Sequence, residues 1–205
     1  MYAYRARCDS QTAAQIIGCP PGHIRRLDKD GLLPRLNPGR QNVVAYFSTA
    51  ALLALANNPK WLIAATAHSR QKTTQNQLVA ARSAVKEAIR SARPNMEPGP
   101  AGSTNWIINE WIATLFRDAR TGAPLPGSIG TDHVARILGF HRDDVVRLRR
   151  LRLLQCLNAE EWNAPKRHAR QLVFELVTDF EWLSRATGAL NEHWRRRQSM
   201  VRLRS

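Results

Sequence analysis

The stretch SQTAAQIIGCPPGHIRRLDKDGLLP, residues 10–34, decides the fold. Ala14 is followed at helical and turn spacings by Gly18, Ile24 and Leu27. A small residue at 14 lets two helices approach, Gly18 makes a sharp turn, and Ile24 and Leu27 seat a second helix on the first. Ser10 is placed to cap the first helix, and Pro20 or Pro21 opens the second, where a missing N–H costs nothing. Gly31 then stops it.

A relative of this stretch returns as TDHVARILGFHRDDVVRLRRLRLLQ, residues 131–155, with Ala135, Gly139, Val145 and Leu148 at the same four places. Across Ala14–Leu33 and Ala135–Leu154, seven of twenty positions are identical, where chance gives roughly one. The likeness continues downstream. Arg40-Gln41-x-Val43 with Phe47-Ser48 answers Arg170-Gln171-x-Val173 with Val177-Thr178, after a connection nine residues longer in the second copy. Each copy therefore reads as helix, turn, helix, a β-rich wing and a further helix. That last helix is capped by Ser48 or by Thr178, the latter with Glu181 in a capping box.

Bulk properties set the partner class. The chain has 205 residues, 43% of them apolar, enough for one sizeable core or two small ones, and the repeat favours two. Before Thr104 there are 14 Lys+Arg against 5 Asp+Glu, so +9; from Thr104 on there are 17 against 11, so +6. A net charge of +15 implies a polyanionic partner, with nucleic acid ahead of an acidic membrane surface. Cys8, Cys19 and Cys156 are too few and too scattered for a disulfide framework or a zinc knuckle, and fit a reducing cytoplasm. The apolar runs Ala50–Ala56 and Trp61–Ala67 are too short to span a bilayer, and the N-terminus lacks an apolar signal core. The expectation is a soluble cytoplasmic protein that is not secreted.

Residues 1–9 form a lead-in that pairs as a strand with the wing or packs on the first helix; the sequence leaves both open. Asn37-Pro38-Gly39 is a turn signal before the β-prone run Val43–Phe47, and Thr49–Ala56 reads as a helix. The pattern weakens over Asn57–Thr74 and returns as an amphipathic helix over Gln75–Arg93. Pro94–Ser103 is the best domain boundary. Asn105–Arg120 is helical, with Trp106 and Trp111 at core spacing, and the loop Thr121–Gly130 leads to the second repeat. The second wing has a long tip, Asn158–Arg167; Asp179–Thr187 is helical; and a basic tail starts at Asn191, either solvated or a phosphate-contacting arm. The expected organisation is a first unit over 1–93, a linker over 94–103, a second unit over 104–190 and the tail over 191–205.

With Ile24 and Leu27 facing inward, the outward set of the first copy is Pro20, Pro21, Gly22, Arg25, Arg26 and Lys29, supported by Arg35 and Arg40 on the wing. In the second copy it is His141, Arg142, Asp143, Val146, Arg147 and Arg150, with Lys166, Arg167, His168 and Arg170 at the wing's return. Arginine can bond guanine O6 and N7 together and aspartate can accept from cytosine N4, so Arg142, Asp143 and Arg147 offer base discrimination. Pro20, Pro21 and Gly22 offer little, so the first copy grips phosphates or reads shape through Arg25, Arg26, Lys29 and its wing. Asp143 and Asp144 are equally readable as an acidic pair complementing a helix N-terminus.

The run Ile24-Arg25-Arg26-Leu27-Asp28-Lys29-Asp30-Gly31-Leu32-Leu33-Pro34, followed by Tyr46-Phe47-Ser48 and Leu52-Leu53, resembles the DNA-binding head of the MerR and excisionase-like winged-helix families. The likeness covers about residues 10–56 and, more loosely, 131–185. It implies a mainly α fold with small β wings, two winged helix-turn-helix domains in tandem, with Arg25 and Arg26 on a duplex and a wing on an adjacent phosphate strand. Arg26 and Leu27 stand where MerR regulators usually carry an aromatic pair, and neither a long dimerisation helix nor an effector-sensing cysteine is found, so DNA binding carries over and effector-responsive activation does not. Paired heads are also similar to the helix-turn-helix segments of TniQ-type transposition proteins, without their zinc-binding part.

Other chemistries lack their residues. His23-Ile24-Arg25-Arg26 has the His-x-x-Arg form of a tyrosine recombinase but lies inside the second helix, and Tyr46 follows too closely to be its nucleophile. There is no metal-binding His/Cys spacing, no phosphate-cradling glycine loop and no separated acidic pairing of a metal-dependent nuclease. The expectation is no enzyme and no cofactor. The chain reads as a binder of double-stranded DNA at a bipartite site, as a transcriptional regulator or mobile-element factor. The alternative is an adaptor subunit of a transposition or RNA-guided complex that binds protein or RNA.

Overall fold

The computed structural model describes residues 4–37, 44–69, 75–92, 104–159 and 164–202. The first copy of the repeat runs β1 (Arg7–Cys8), α1 (Ser10–Ile17), α2 (Pro21–Lys29), β2 (Phe47–Ser48), α3 (Thr49–Ala56) and α4 (Pro59–Ser69). Then come α5 (Gln75–Ser91) and α6 (Thr104–Leu115). The second copy repeats the series as β3 (Ser128–Gly130), α7 (Thr131–Leu138), α8 (Arg142–Arg150), β4 (Arg167–Ala169), α9 (Arg170–Thr178) and α10 (Phe180–Arg202). Among the described residues the protein is thus mainly helical, with two small antiparallel sheets, β1 on β2 and β3 on β4. Among the described residues no helix is long and apolar enough to cross a membrane.

The two copies correspond at a constant offset of 121 residues, from the first strand to the last helix. Arg7 faces Ser48 and Cys8 faces Phe47; Ser128 faces Ala169 and Ile129 faces His168. The Leu36 N–H bonds the Tyr46 carbonyl, and the Leu157 N–H bonds that of Arg167. Asn37 bridges its hairpin from Nδ2 to the Val44 carbonyl and from Oδ1 to the Tyr46 N–H, and Asn158 makes the same pair of bonds to Pro165 and Arg167. The Trp61 indole donates to the Leu32 carbonyl at 3.2 Å and the Trp182 indole to that of Leu153 at 2.7 Å.

This register corrects the sequence reading of the wings. Arg170 answers Thr49, not Arg40, and there is no nine-residue insertion; Gln41 and Val43, like Arg40 and the expected linker Pro94–Ser103, lie outside the described residues. The Arg-Gln-x-Val likeness misled because local identity of three residues outweighed the longer match Trp61-Leu62-x-x-Ala65-Thr66 with Trp182-Leu183-x-x-Ala186-Thr187. The caps shift as well. Asp9, not Ser10, caps α1, accepting the Thr12 N–H at 2.9 Å. Asp179, not Thr178, caps α10 through the Trp182 N–H, as Asn58 caps α4 through that of Trp61. Ser48 does cap α3. Helix α10 continues to Arg202, so the basic segment after Asn191 is helical through that residue.

The packing follows from composition. Helix α3, TAALLALA, is apolar all round and accordingly buried between α1, α5 and α6. Ile24, Leu27, Leu52, Leu55, Trp61, Val145, Leu148 and Leu183 are at most 1% exposed, each large apolar side chain contributing about 1.5–3 kcal/mol. Trp111 is buried too, its indole donating to the Tyr4 carbonyl. Buried residues of both copies form one continuous apolar cluster. Backbone bonds extend the lead-in on both sides: the Thr49 N–H donates to the Ala6 carbonyl, and the Ala6 N–H donates across to that of Ile137 at 2.9 Å. The lead-in is therefore a strand edge on the first copy and a splice to the second. The Ser184 hydroxyl, on α10, donates to the Leu36 carbonyl at 2.7 Å, a second tie between copies.

Candidate nucleic-acid interface

Helix α2 begins at Pro21 behind an extended Pro20 and carries no acidic residue in its first turn. Its inner face is Ile24 and Leu27, both fully buried; Pro21, Gly22, Arg25, Arg26 and Lys29 are exposed. The two carboxylates near its end are turned away from that face. Asp28 pairs with Arg35 at 2.9 Å, and burial raises the Asp28 carboxyl above its ordinary value while Arg35 pulls it back. Asp30 pairs with His68 of α4 at 2.8 Å, and its carbonyl accepts from Nε and Nη2 of Arg82 on α5. The outer face of α2 therefore presents only cations, on a helix whose N-terminal dipole is uncompensated. Arg35 does not reach out from the wing as expected, because Asp28 and Asn37 hold its guanidinium inward.

Helix α8 is built differently. His141 is its N-cap, accepting the Asp143 N–H on Nδ1 at 3.3 Å, and Asp144 accepts the His141 N–H in return. Asp144 also accepts the Trp194 indole N–H at 3.1 Å from the extension of α10. Asp144 is thus a cap, as one of the two sequence readings had it, while Asp143 stays exposed beside His141. Arg142 is exposed and lies 3.3 Å from Asp132 on α7. Arg150 is exposed, Val146 and Arg147 half-exposed, and Arg147, Arg149 and Arg150 crowd the last turn, where cations suit the dipole.

The wing residues of the second copy separate. Arg167 is exposed and folds back onto Ser128, donating to its carbonyl and hydroxyl. Arg170 is the first residue of α9, and its guanidinium donates to the Leu125 carbonyl at 2.7 Å; it braces the loop into β3. His168 is buried, with Nδ1 against the Gln155 carbonyl at 2.6 Å.

Sequence reasoning missed Arg5, Arg7 and Arg136. The Arg7 guanidinium lies 3.9 Å from the Tyr46 ring and 4.1 Å from the Phe140 ring, between the wing base of the first copy and the turn of the second. The signal present was a run of two tyrosines, at 2 and 4, and two arginines, at 5 and 7, in YAYRAR, too short to read as more than a lead-in. Comparison with family models, with curated proteins and with solved structures finds no match.

Proposed function

We propose that this chain is a duplex-DNA-binding protein with two winged helix-turn-helix heads of MerR/excisionase-like type, contacting a bipartite, asymmetric site. The observation that carries the reading is α2: apolar face fully buried, acidic side chains turned aside, and Arg25, Arg26 and Lys29 as the charged side chains on the exposed face. A helix of that make-up, seated on a partner across a tight glycine turn, has the form that enters a major groove. In the second head, Arg142, Asp143 and Arg147 are the base-reading set, and Arg167 a phosphate contact.

The heads do not hang on a loose tether, since Ala6, Arg7 and Ser184 tie one to the other. Both then engage one duplex at fixed spacing. With about four phosphates per head, the log–log salt slope of affinity is roughly −7; a slope near −3 means one head engages.

The test is selection of bound sequences from a random duplex pool, with the wild type and with Arg142 and Arg147 both changed to alanine. A motif that loses one half in the variant supports the bipartite reader. Binding without enrichment moves the assignment to the second reading, an adaptor subunit that uses the second copy on a protein or RNA partner. What favours that reading is the acidity around the start of α8, where Asp132, Asp143 and Asp144 offset Arg142. Structured RNA in competition separates the two, because the A-form major groove does not admit a helix.

A further inference from the structure

Between the two copies lies a cleft of about 890 Å³, walled by α1 on one side and by α7 and the start of α8 on the other. Its charge is unbalanced. Arg5, Arg7, Arg136 and Arg142 line it against Asp9 and Asp144. Both carboxylates are already engaged in capping, Asp9 at α1 and Asp144 at α8. Among the described residues no carboxylate comes within ion-pair distance of Arg5 or Arg7. Arg7 is fixed by Gly139 and two aromatic rings, and burial lowers its pKa, with Tyr46 and Asp144 opposing and the neighbouring Arg5 adding to the fall. Two neighbouring cations with no ion-pair partner among the described residues, one of them half-buried, make a positive potential that Asp144 only partly offsets and an anion relieves.

We propose that this cleft seats the phosphodiester backbone of the bound duplex midway between the two heads, with Arg5 as its charged contact and Thr12 and Gln15 of α1 as hydrogen-bond donors. The proposal rests on the duplex-binding reading and adds to it a contact that belongs to neither head alone. Continuity is what selects a polymer rather than a free anion: Arg142 both lines the cleft and opens α8, while Thr12 and Gln15 belong to the helix on which α2 is seated. Arg5 is exposed and, among the described residues, has no ion pair to break before it meets a phosphate.

Two measurements on the full chain test it. Arg5→Ala lowers the magnitude of the log–log salt slope by about 1 on any duplex and leaves base preference unchanged, and Arg5→Lys restores the slope. Ethylation of phosphates in the selected site blocks wild-type binding at positions between the two half-sites, a readout that does not depend on any variant folding. An unchanged slope in Arg5→Ala, or ethylation-insensitive central phosphates, overturns the cleft assignment while duplex binding stands. Failure of the wild type to bind any duplex overturns both.

Discussion

The Arg7 guanidinium donates from Nε and Nη2, at 3.2 and 2.9 Å, to the backbone carbonyl of Gly139, 132 residues away. One side chain thus joins the lead-in of the first copy to the turn of the second. Two charge-assisted bonds are worth about 1.5–3 kcal/mol each and the ring contacts about 0.5–2, against a desolvation cost of several kcal/mol for a half-buried cation. The net is favourable by about 2 kcal/mol, and Arg7→Ala should lower stability by that amount in a urea titration. Arg7→Lys should recover less than half of it, because an ammonium neither forks onto one carbonyl nor lies flat between two rings. Full recovery by lysine would show that charge alone matters there.

Gly18 and Gly139 occupy equivalent turns with nearly the same left-handed backbone, φ +76 and +78. Their surroundings differ. A Cβ on Gly18 meets nothing within 4 Å, whereas one on Gly139 meets the Arg7 carbonyl oxygen at 2.5 Å. Gly18→Ala should therefore cost only the conformational term, about 1 kcal/mol. Gly139→Ala adds a backbone clash at the splice between copies and should cost about 3 kcal/mol or more, with hydrogen exchange rising at Ala6. Equal destabilisation by the two substitutions would mean that the copies are not held together at this turn.

The same correspondence exposes a strained residue. Gly31 follows α2 at φ +69, and its counterpart after α8 is Arg152 at φ +57. A non-glycine side chain in that region costs about 1–2 kcal/mol, partly offset by the extra freedom glycine has when unfolded. Arg152→Gly should raise stability by about 0.5–1 kcal/mol, and Gly31→Arg should lower it by a similar amount. Calorimetric melting temperatures of the two variants decide this, and a fall for Arg152→Gly would show that its side chain has a stabilising contact outweighing the strain.

The paired helices were legible because their constraints are local. A glycine at 18 and at 139, apolar residues at helical spacing and prolines at a helix start each point to one conformation. The wing registers were not legible, since β pairing is set across the chain: the lead-in read as a strand on the wing only as one of two alternatives, and the register of Arg7-Cys8 on residues some forty positions on could not be read. Helix α4 was missed because its apolar residues surround it on most sides and blur the 3.6-residue period; the pairing of Trp61 with Trp182 at one offset was the available signal. At the candidate interface, α2's exposed cations were read correctly from the phase of Ile24 and Leu27. What sequence could not give was the fate of individual charges, for which Arg35, Arg170 and Asp144 turn inward to fixed partners.

His168 stands where the first copy has Phe47, buried in the same strand position. Burial lowers its pKa below the ordinary 6.5, the bond to the Gln155 carbonyl opposes the fall, and Arg149 adds to it. The unfolded chain then takes up a proton that the folded chain refuses, so this imidazole's contribution to stability is whole above pH 6.5 and declines as the pH falls toward its folded value. Stability should drop on acidification from pH 7.5 to pH values below 6. His168→Phe, which installs the first copy's residue, should flatten that drop while changing stability at pH 7.5 by less than about 1 kcal/mol, the Gln155 carbonyl being released to water. A residual slope from His23, whose pKa burial also lowers, is expected to remain. If urea midpoints of the variant and the wild type fall in parallel with pH, His168 is protonated as readily in the folded chain as in the unfolded one.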